Sequence, residues 1–398
     1  MTQEPEGTSA IQSAVSPPLP SGRIPELDGL RGTAILLVFI SHYLGGSGHL
    51  HLSPWLRHLF AVTSIGWSGV DLFFVLSGFL IGGILIDARD SPHYFRAFYM
   101  RRVHRILPIY YLWILLYAVI VTVALVGGPN PFSILPRDLQ QIPIQMLFLQ
   151  NFEFTLFPFQ HAWFLVTWSL AVEEQFYIFA PPLIRFLSPR RLLHVLAGAM
   201  IVAPIFRFAV FRYWSPGTFA AAFLLPGRAD TLALGVLLAI AWRNPSFRSF
   251  LDRRRHALQL TLLILFLGLC ASLPWMVGDI SLFRATIGYS WMAVLYGCLL
   301  LLVLSQTHGW LAAIMRWKPL RSLGAVSYCV YLIHLTILYL AHRLILHGYP
   351  QFHSLQGIAV TVLAAVITLA WAALSWRFLE KPLIRRGHTY AYGEKRAE

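Results

Sequence analysis

Ten stretches of predominantly apolar residues recur along the chain, at about 30–49, 65–87, 106–127, 163–187, 191–211, 226–242, 258–276, 286–305, 323–346 and 355–378. Each is close to the roughly 20 residues that a helix needs to cross the hydrocarbon core of a bilayer. The bilayer core holds no water to satisfy backbone N–H and C=O groups, so a run of this length spans as a helix. The spacing therefore predicts an all-α, polytopic integral membrane protein with about ten transmembrane helices in one bundle. Composition closes the alternative: 57% of the 398 residues are hydrophobic and only 12% are charged, against about 25% charged in an ordinary soluble domain. One stretch fits less well. In 128–160 the apolar segment 142–149 reads either as an extra half-span or as a segment lying in the membrane interface.

Lys and Arg number 31 against 17 Asp and Glu, a formal charge of +14. In a soluble chain this would suggest nucleic acid, but no basic stripe with exposed aromatics lies outside the apolar runs, so none is expected as a partner. If the N-terminus is cytoplasmic, 24 of the 31 basic residues fall on the cytoplasmic side, as the positive-inside rule requires. The expected location is the cytoplasmic (inner) membrane, in contact with its lipids and with both termini cytoplasmic. Residues 1–25, rich in Pro, Ser, Gly and Thr, read as a disordered cytoplasmic tail, 26–382 as the transmembrane domain and 383–398 as a basic cytoplasmic tail. Cys270, Cys298 and Cys329 are widely spaced within apolar segments and make neither a disulfide nor a metal pattern.

Ionisable side chains inside spans are costly, so each is a functional candidate. Arg31 and His42 are eleven residues apart on the first span, about 1100° of helical rotation and about 16 Å of rise, so they share one face. In the fourth span Ser169, Glu173 and Tyr177 follow i, i+4, i+8 spacing and form a polar stripe, while Glu174 points about 100° away. In the ninth, Ser327, Tyr331 and His334 follow i, i+4, i+7. By helical rise, His42, Glu173 and His334 reach similar depth from three helices. A buried His with a nearby carboxylate can move protons; it can equally be a hydrogen-bonded tie between helices, and spacing leaves both roles open.

After the second span, Arg102 and Arg105 are three residues apart beside Arg101 and His104. Guanidinium groups at this spacing can converge on phosphates, although ordinary positive-inside charge gives the same pattern. Gly78, Gly82 and Gly83 lie inside a span and read as small-residue helix packing rather than as a phosphate loop.

In order along the chain, ELDGLRG with His42, WSGVDLFFVLSGFLIGG, FYMRRVHRILPIYY, WSLAVEEQFY, GRADTLALG and SYCVYLIHL resemble the membrane-bound acyltransferase 3 family over about residues 25–382. The family's paired Arg and His match Arg31 and His42, and its Arg-x-x-Arg matches Arg102 and Arg105. The resemblance implies an O-acyltransferase moving an acyl group, acetyl above all, from acetyl-CoA to a hydroxyl of a cell-surface or lipid-linked saccharide. His42, Glu173 and His334 are then the expected catalytic groups, and Arg31, Arg102 and Arg105 the expected CoA-phosphate ligands. Acyl-CoA is a donor substrate, and neither a metal nor a permanently bound cofactor is expected. One departure stands out: many relatives carry a His two residues before the Trp-Ser-Leu of the fourth span, where this chain has Val166, with His161 nearby. Some relatives also append a periplasmic hydrolase-like domain, so the chain is expected either to complete the transfer itself or to hand the group to a separate periplasmic transferase. The rival readings are an acyltransferase acting on a small molecule such as a macrolide and, further off, a transporter.

Overall fold

The computed structural model describes residues 24–45, 62–126, 139–156, 163–214, 217–277, 279–306, 308–351 and 354–393. Ten long helices correspond to the ten runs: α1 (Pro25–Ile40), α2 (Gly69–Asp87), α3 (Tyr94–Val126), α4 (Trp168–Phe186), α5 (Pro189–Tyr213), α6 (Leu225–Arg243), α7 (Arg255–Met276), α8 (Tyr289–Ser305), α9 (Ser327–Leu346) and α10 (Leu355–Ser375). Among the described residues there is no strand, and nine helical segments are long and apolar enough to cross a membrane. The tenth, α4, has the length but carries Glu173, Glu174 and Arg185. The chain is an all-α, multi-pass membrane protein.

The bundle is built outward from α1 and α2. α1 packs on α2, on α9 and on the short helix Lys318–Ala325, and α2 packs on α4, α6 and α8. Close approach depends on glycines: a Cβ at Gly78 would stand 2.2 Å from the Leu232 carbonyl oxygen, and one at Gly235 would stand 2.4 Å from that of Val75. Gly78 thus does serve helix packing, against α6. Burial grades accordingly. The α2 span is 78% buried, whereas the α7 span is 11% buried and turns Leu263, Ile264 and Leu267 outward, as lipid-facing helices do.

Two local features differ from the sequence expectations. α3 begins at Tyr94, well before the apolar run expected from about residue 106, and Pro108 lies inside the helix. The proline removes the hydrogen bond to the His104 carbonyl and crowds that carbonyl, yet the helix continues through it and places Arg101, Arg102 and Arg105 on its turns. The doubtful segment resolves into two short helices, Ile142–Met146 and Gln150–Leu156, neither long enough to span. Gln145, Gln150 and Asn151 are fully buried while Met146, Leu147 and Phe152 face outward. Inside, Tyr110 donates to the Gln145 carbonyl (3.0 Å), and the Gln150 amide donates to the Thr167 carbonyl (2.9 Å). Polar groups turned inward and apolar groups outward are the pattern of a segment braced against the bundle beside lipid. Of the terminal segments, residues 1–23 and 394–398 lie outside the described residues, as does His161. The helix Lys381–Gly387 and the residues after it pack on the start of α3, where Arg101 donates to the Tyr390 carbonyl at 2.9 Å and stacks on Tyr392.

Candidate active site

Among the described residues, two adjoining cavities lie within the bundle. The first, about 110 Å³, collects Arg31 from α1, Arg102 and Arg105 from α3, Ser169, Glu173 and Tyr177 from α4, and Ser327 and Tyr331 from α9. The polar stripes expected on α4 and α9 both face it, and apolar side chains such as Phe74, Leu80 and Ile106 complete its wall. Arg31 has Asp28 at 3.6 Å. Among the described residues no carboxylate lies within 4.0 Å of Arg102 or Arg105, and the buried Nε of Arg102 has no hydrogen-bond partner. Half-buried guanidinium groups without a paired carboxylate can donate charge-assisted hydrogen bonds to anionic oxygens. Glu173 does not neutralise the arginines by direct contact; it accepts a hydrogen bond from Tyr177.

The second cavity, about 520 Å³, is lined by His42, Trp67, Val166, Trp168, Arg228, Arg284 and Tyr289 among others, and its size falls within the range of ligand pockets, roughly 300–1,000 Å³. Val166 faces it, so the position at which a further His was sought presents an aliphatic side chain here. Arg228 donates to Asp71 at 2.9 Å and lies over the Tyr289 ring at 3.7 Å, while Arg284 lies over Trp67 at 4.2 Å. Val70 and Tyr331 line both cavities and stand between them.

His42 follows α1 in a wider turn, Ser41–Gly45, of π-helical geometry. Such turns re-aim side chains and frequent functional sites. Arg31 and His42, separated by about 16 Å of helical rise, line different cavities. The turn brings His42 Nδ1 to 2.8 Å from His334 Nε2. The other nitrogen of His334, Nδ1, is 3.0 Å from the Val330 carbonyl oxygen and 2.8 Å from that of Tyr331. Carbonyl oxygens only accept, so His334 carries its proton on Nδ1 and presents a bare Nε2. His42 must then donate from Nδ1, which leaves its Nε2 unprotonated. This assignment follows from the hydrogen-bond network, since a neutral imidazole has one donor and one acceptor nitrogen. Of the three groups expected at one depth, the two histidines meet directly, while Glu173 lies in the other cavity with the arginines.

The structure also shows polar groups that spacing did not single out. Arg207 pairs with Asp230 through two hydrogen bonds of 3.0 and 2.9 Å, both residues fully buried, and half-buried Ser290 donates to Asp230 at 2.6 Å. Asp71, Arg207, Arg228 and Asp230 sit within apolar runs, and that misplaced charge was the available signal.

Fold and site together define a polytopic membrane protein with a guanidinium-lined cavity backed by an imidazole pair. A family model described as an acyltransferase domain matches residues 24–377, and the chain belongs to that acyltransferase 3 family. It is 28% identical over 381 residues to YrhL of Bacillus subtilis (strain 168), covering 92% of this chain and 55% of that protein. It is 26% identical over 379 residues to O-acetyltransferase OatA of Staphylococcus aureus (strain NCTC 8325 / PS 47), covering 92% of this chain and 58% of that protein. Peptidoglycan O-acetyltransferase OatA of Listeria monocytogenes serovar 1/2a (strain ATCC BAA-679 / EGD-e) is 28% identical over 392 residues, with 92% and 56% covered. The chain thus spans little more than half the length of these relatives. No solved structure matches it.

Proposed function

We propose that the protein is a membrane O-acetyltransferase that takes an acetyl group from acetyl-CoA and delivers it to a hydroxyl of a cell-surface or lipid-linked saccharide. The observation that carries this reading is the adjacency of the two cavities: three guanidinium groups line one, and an imidazole with a free Nε2 lines the other. Arg31, Arg102 and Arg105 bind the phosphates of the donor by charge-assisted hydrogen bonds, and the pantetheine arm follows the apolar wall toward Tyr331. With the arginine end in the cytoplasm, as the charge distribution favours, the donor enters from the side where CoA thioesters are made. The names of the relatives support an acetyl donor and a glycan acceptor.

In the reaction, the acceptor hydroxyl attacks the thioester carbonyl while His42 Nε2 takes its proton. The new C–O bond forms, the C–S bond breaks, and the proton passes from His42 to the departing thiolate, releasing CoA as the thiol. His334 holds the tautomer that makes His42 a base. Glu173 keeps Tyr177 oriented beside the arginines and contributes negative charge near them. The test is to incubate membranes containing the protein with radiolabelled acetyl-CoA and lipid and polysaccharide extracts of its host. Label in a saccharide fraction supports the reading; CoA release with label in a small molecule, or no CoA release from folded protein, counts against it.

A further inference from the structure

The two cavities meet at a boundary made by specific side chains. Its shared side chains are Val70 on α2 and Tyr331 on α9. Tyr331 is fastened across the bundle: its hydroxyl donates to the Val166 carbonyl at 3.0 Å and lies in hydrogen-bond contact with Ser169 Oγ. Ser169 lines the arginine cavity and Val166 the His42 cavity, so these bonds hold the phenol ring as a fixed wall at the junction. Val70 is 8% exposed and Ser169 is 6% exposed, leaving both nearly enclosed by protein. An acyl group presented to His42 from the arginine side must occupy this junction.

We infer that Val70 and Tyr331 form a partition that selects the acyl group by size, admitting acetyl and rejecting longer chains. This rests on the proposed reading that the donor lies in the arginine cavity and His42 in the other. The physical ground is packing. A wall held by two hydrogen bonds and by a β-branched side chain with few rotamers cannot open for an added methylene without losing contacts. One methylene in a close-fitting apolar site is worth roughly 10- to 200-fold in discrimination. In this partition Val70 supplies the aliphatic side, and the Ser169 and Val166 contacts set the rigidity of the Tyr331 side.

The experiment uses the full chain in proteoliposomes with a lysozyme digest of host cell wall as acceptor, and reads CoA release from acetyl-, propionyl- and butyryl-CoA. Wild-type protein is expected to prefer acetyl over propionyl by at least about tenfold. Val70→Ala, which opens the gap, should raise the propionyl-to-acetyl ratio about tenfold. Val70→Ile, which closes it, should lower the ratio, and Tyr331→Phe, which unfastens the ring, should raise it. Opposite movements in the two Val70 variants are not produced by a merely structural role. Turnover of acetyl-CoA with the ratio unchanged in all three variants would overturn the partition alone. Absence of CoA release by folded wild-type protein from any of the three donors would overturn both this inference and the reading beneath it.

Discussion

Replacing His334 separates the roles of the two histidines. In His334→Leu, the Nδ1–H of His42 loses its acceptor at 2.8 Å. A buried donor left unpaired costs about 1–3 kcal/mol, but His42 has a way out, because its proton can move to Nε2, which faces the larger cavity. The fold is therefore preserved while the base is removed, since Nε2 then carries the proton it should accept. Proton transfer by a placed side chain is worth about 10²–10⁴ in rate, or about 3–5 kcal/mol of barrier, so kcat should fall by that factor with little change in KM for acetyl-CoA. His334→Gln, whose amide oxygen can accept from His42 Nδ1, should recover at least about tenfold of the loss. The assay is steady-state CoA release with protein amount checked by gel filtration. A His334→Leu enzyme within threefold of wild-type kcat would refute the tautomer argument.

Other outcomes follow from the same geometry. Arg102→Met and Arg105→Met should each raise KM for acetyl-CoA by about 10- to 100-fold, since a hydrogen bond to a charged group contributes about 1.5–3 kcal/mol; direct binding of CoA to the purified variants gives the check. Asp230→Ala strips the counter-ion from fully buried Arg207 and should destabilise the protein by about 3–5 kcal/mol, seen as a lower temperature of aggregation in detergent. Gly78→Ala places a methyl where the Leu232 carbonyl stands, forcing α2 and α6 apart at a cost of about 1–3 kcal/mol, measurable in the same melt.

Helix count and type were legible in the sequence because membrane spans announce themselves by length and hydropathy, and the polar stripes of α4 and α9 were legible because i, i+4 spacing fixes a face. Arg102 and Arg105 share a face of α3 although it starts at Tyr94, since their three-residue offset holds wherever the helix begins; their grouping with Arg31 was implied by the family resemblance and not by spacing. Depth arithmetic did not show that Glu173 lines the arginine cavity while His42 lines the other. Helical rise gives the level of a residue in the bundle, not the direction it faces, and so it could not show that Ser169 and Tyr331 stand at the junction of two cavities. The His42–His334 bond joins residues 292 positions apart through a π-helical turn, and no regular period predicts such a turn. The pairs Arg207–Asp230 and Arg228–Asp71 likewise link different helices, a relation that requires the packed bundle.

The most direct test of the account compares wild-type protein with His42→Ala in two measurements on the same preparation: affinity for CoA, and transfer of radiolabelled acetyl from acetyl-CoA to host glycan. With the donor held by Arg31, Arg102 and Arg105 in one cavity and the base in the other, His42→Ala should bind CoA as tightly as wild type and transfer at least about 10²-fold less label. Near-normal transfer by His42→Ala would contradict the assignment of the base.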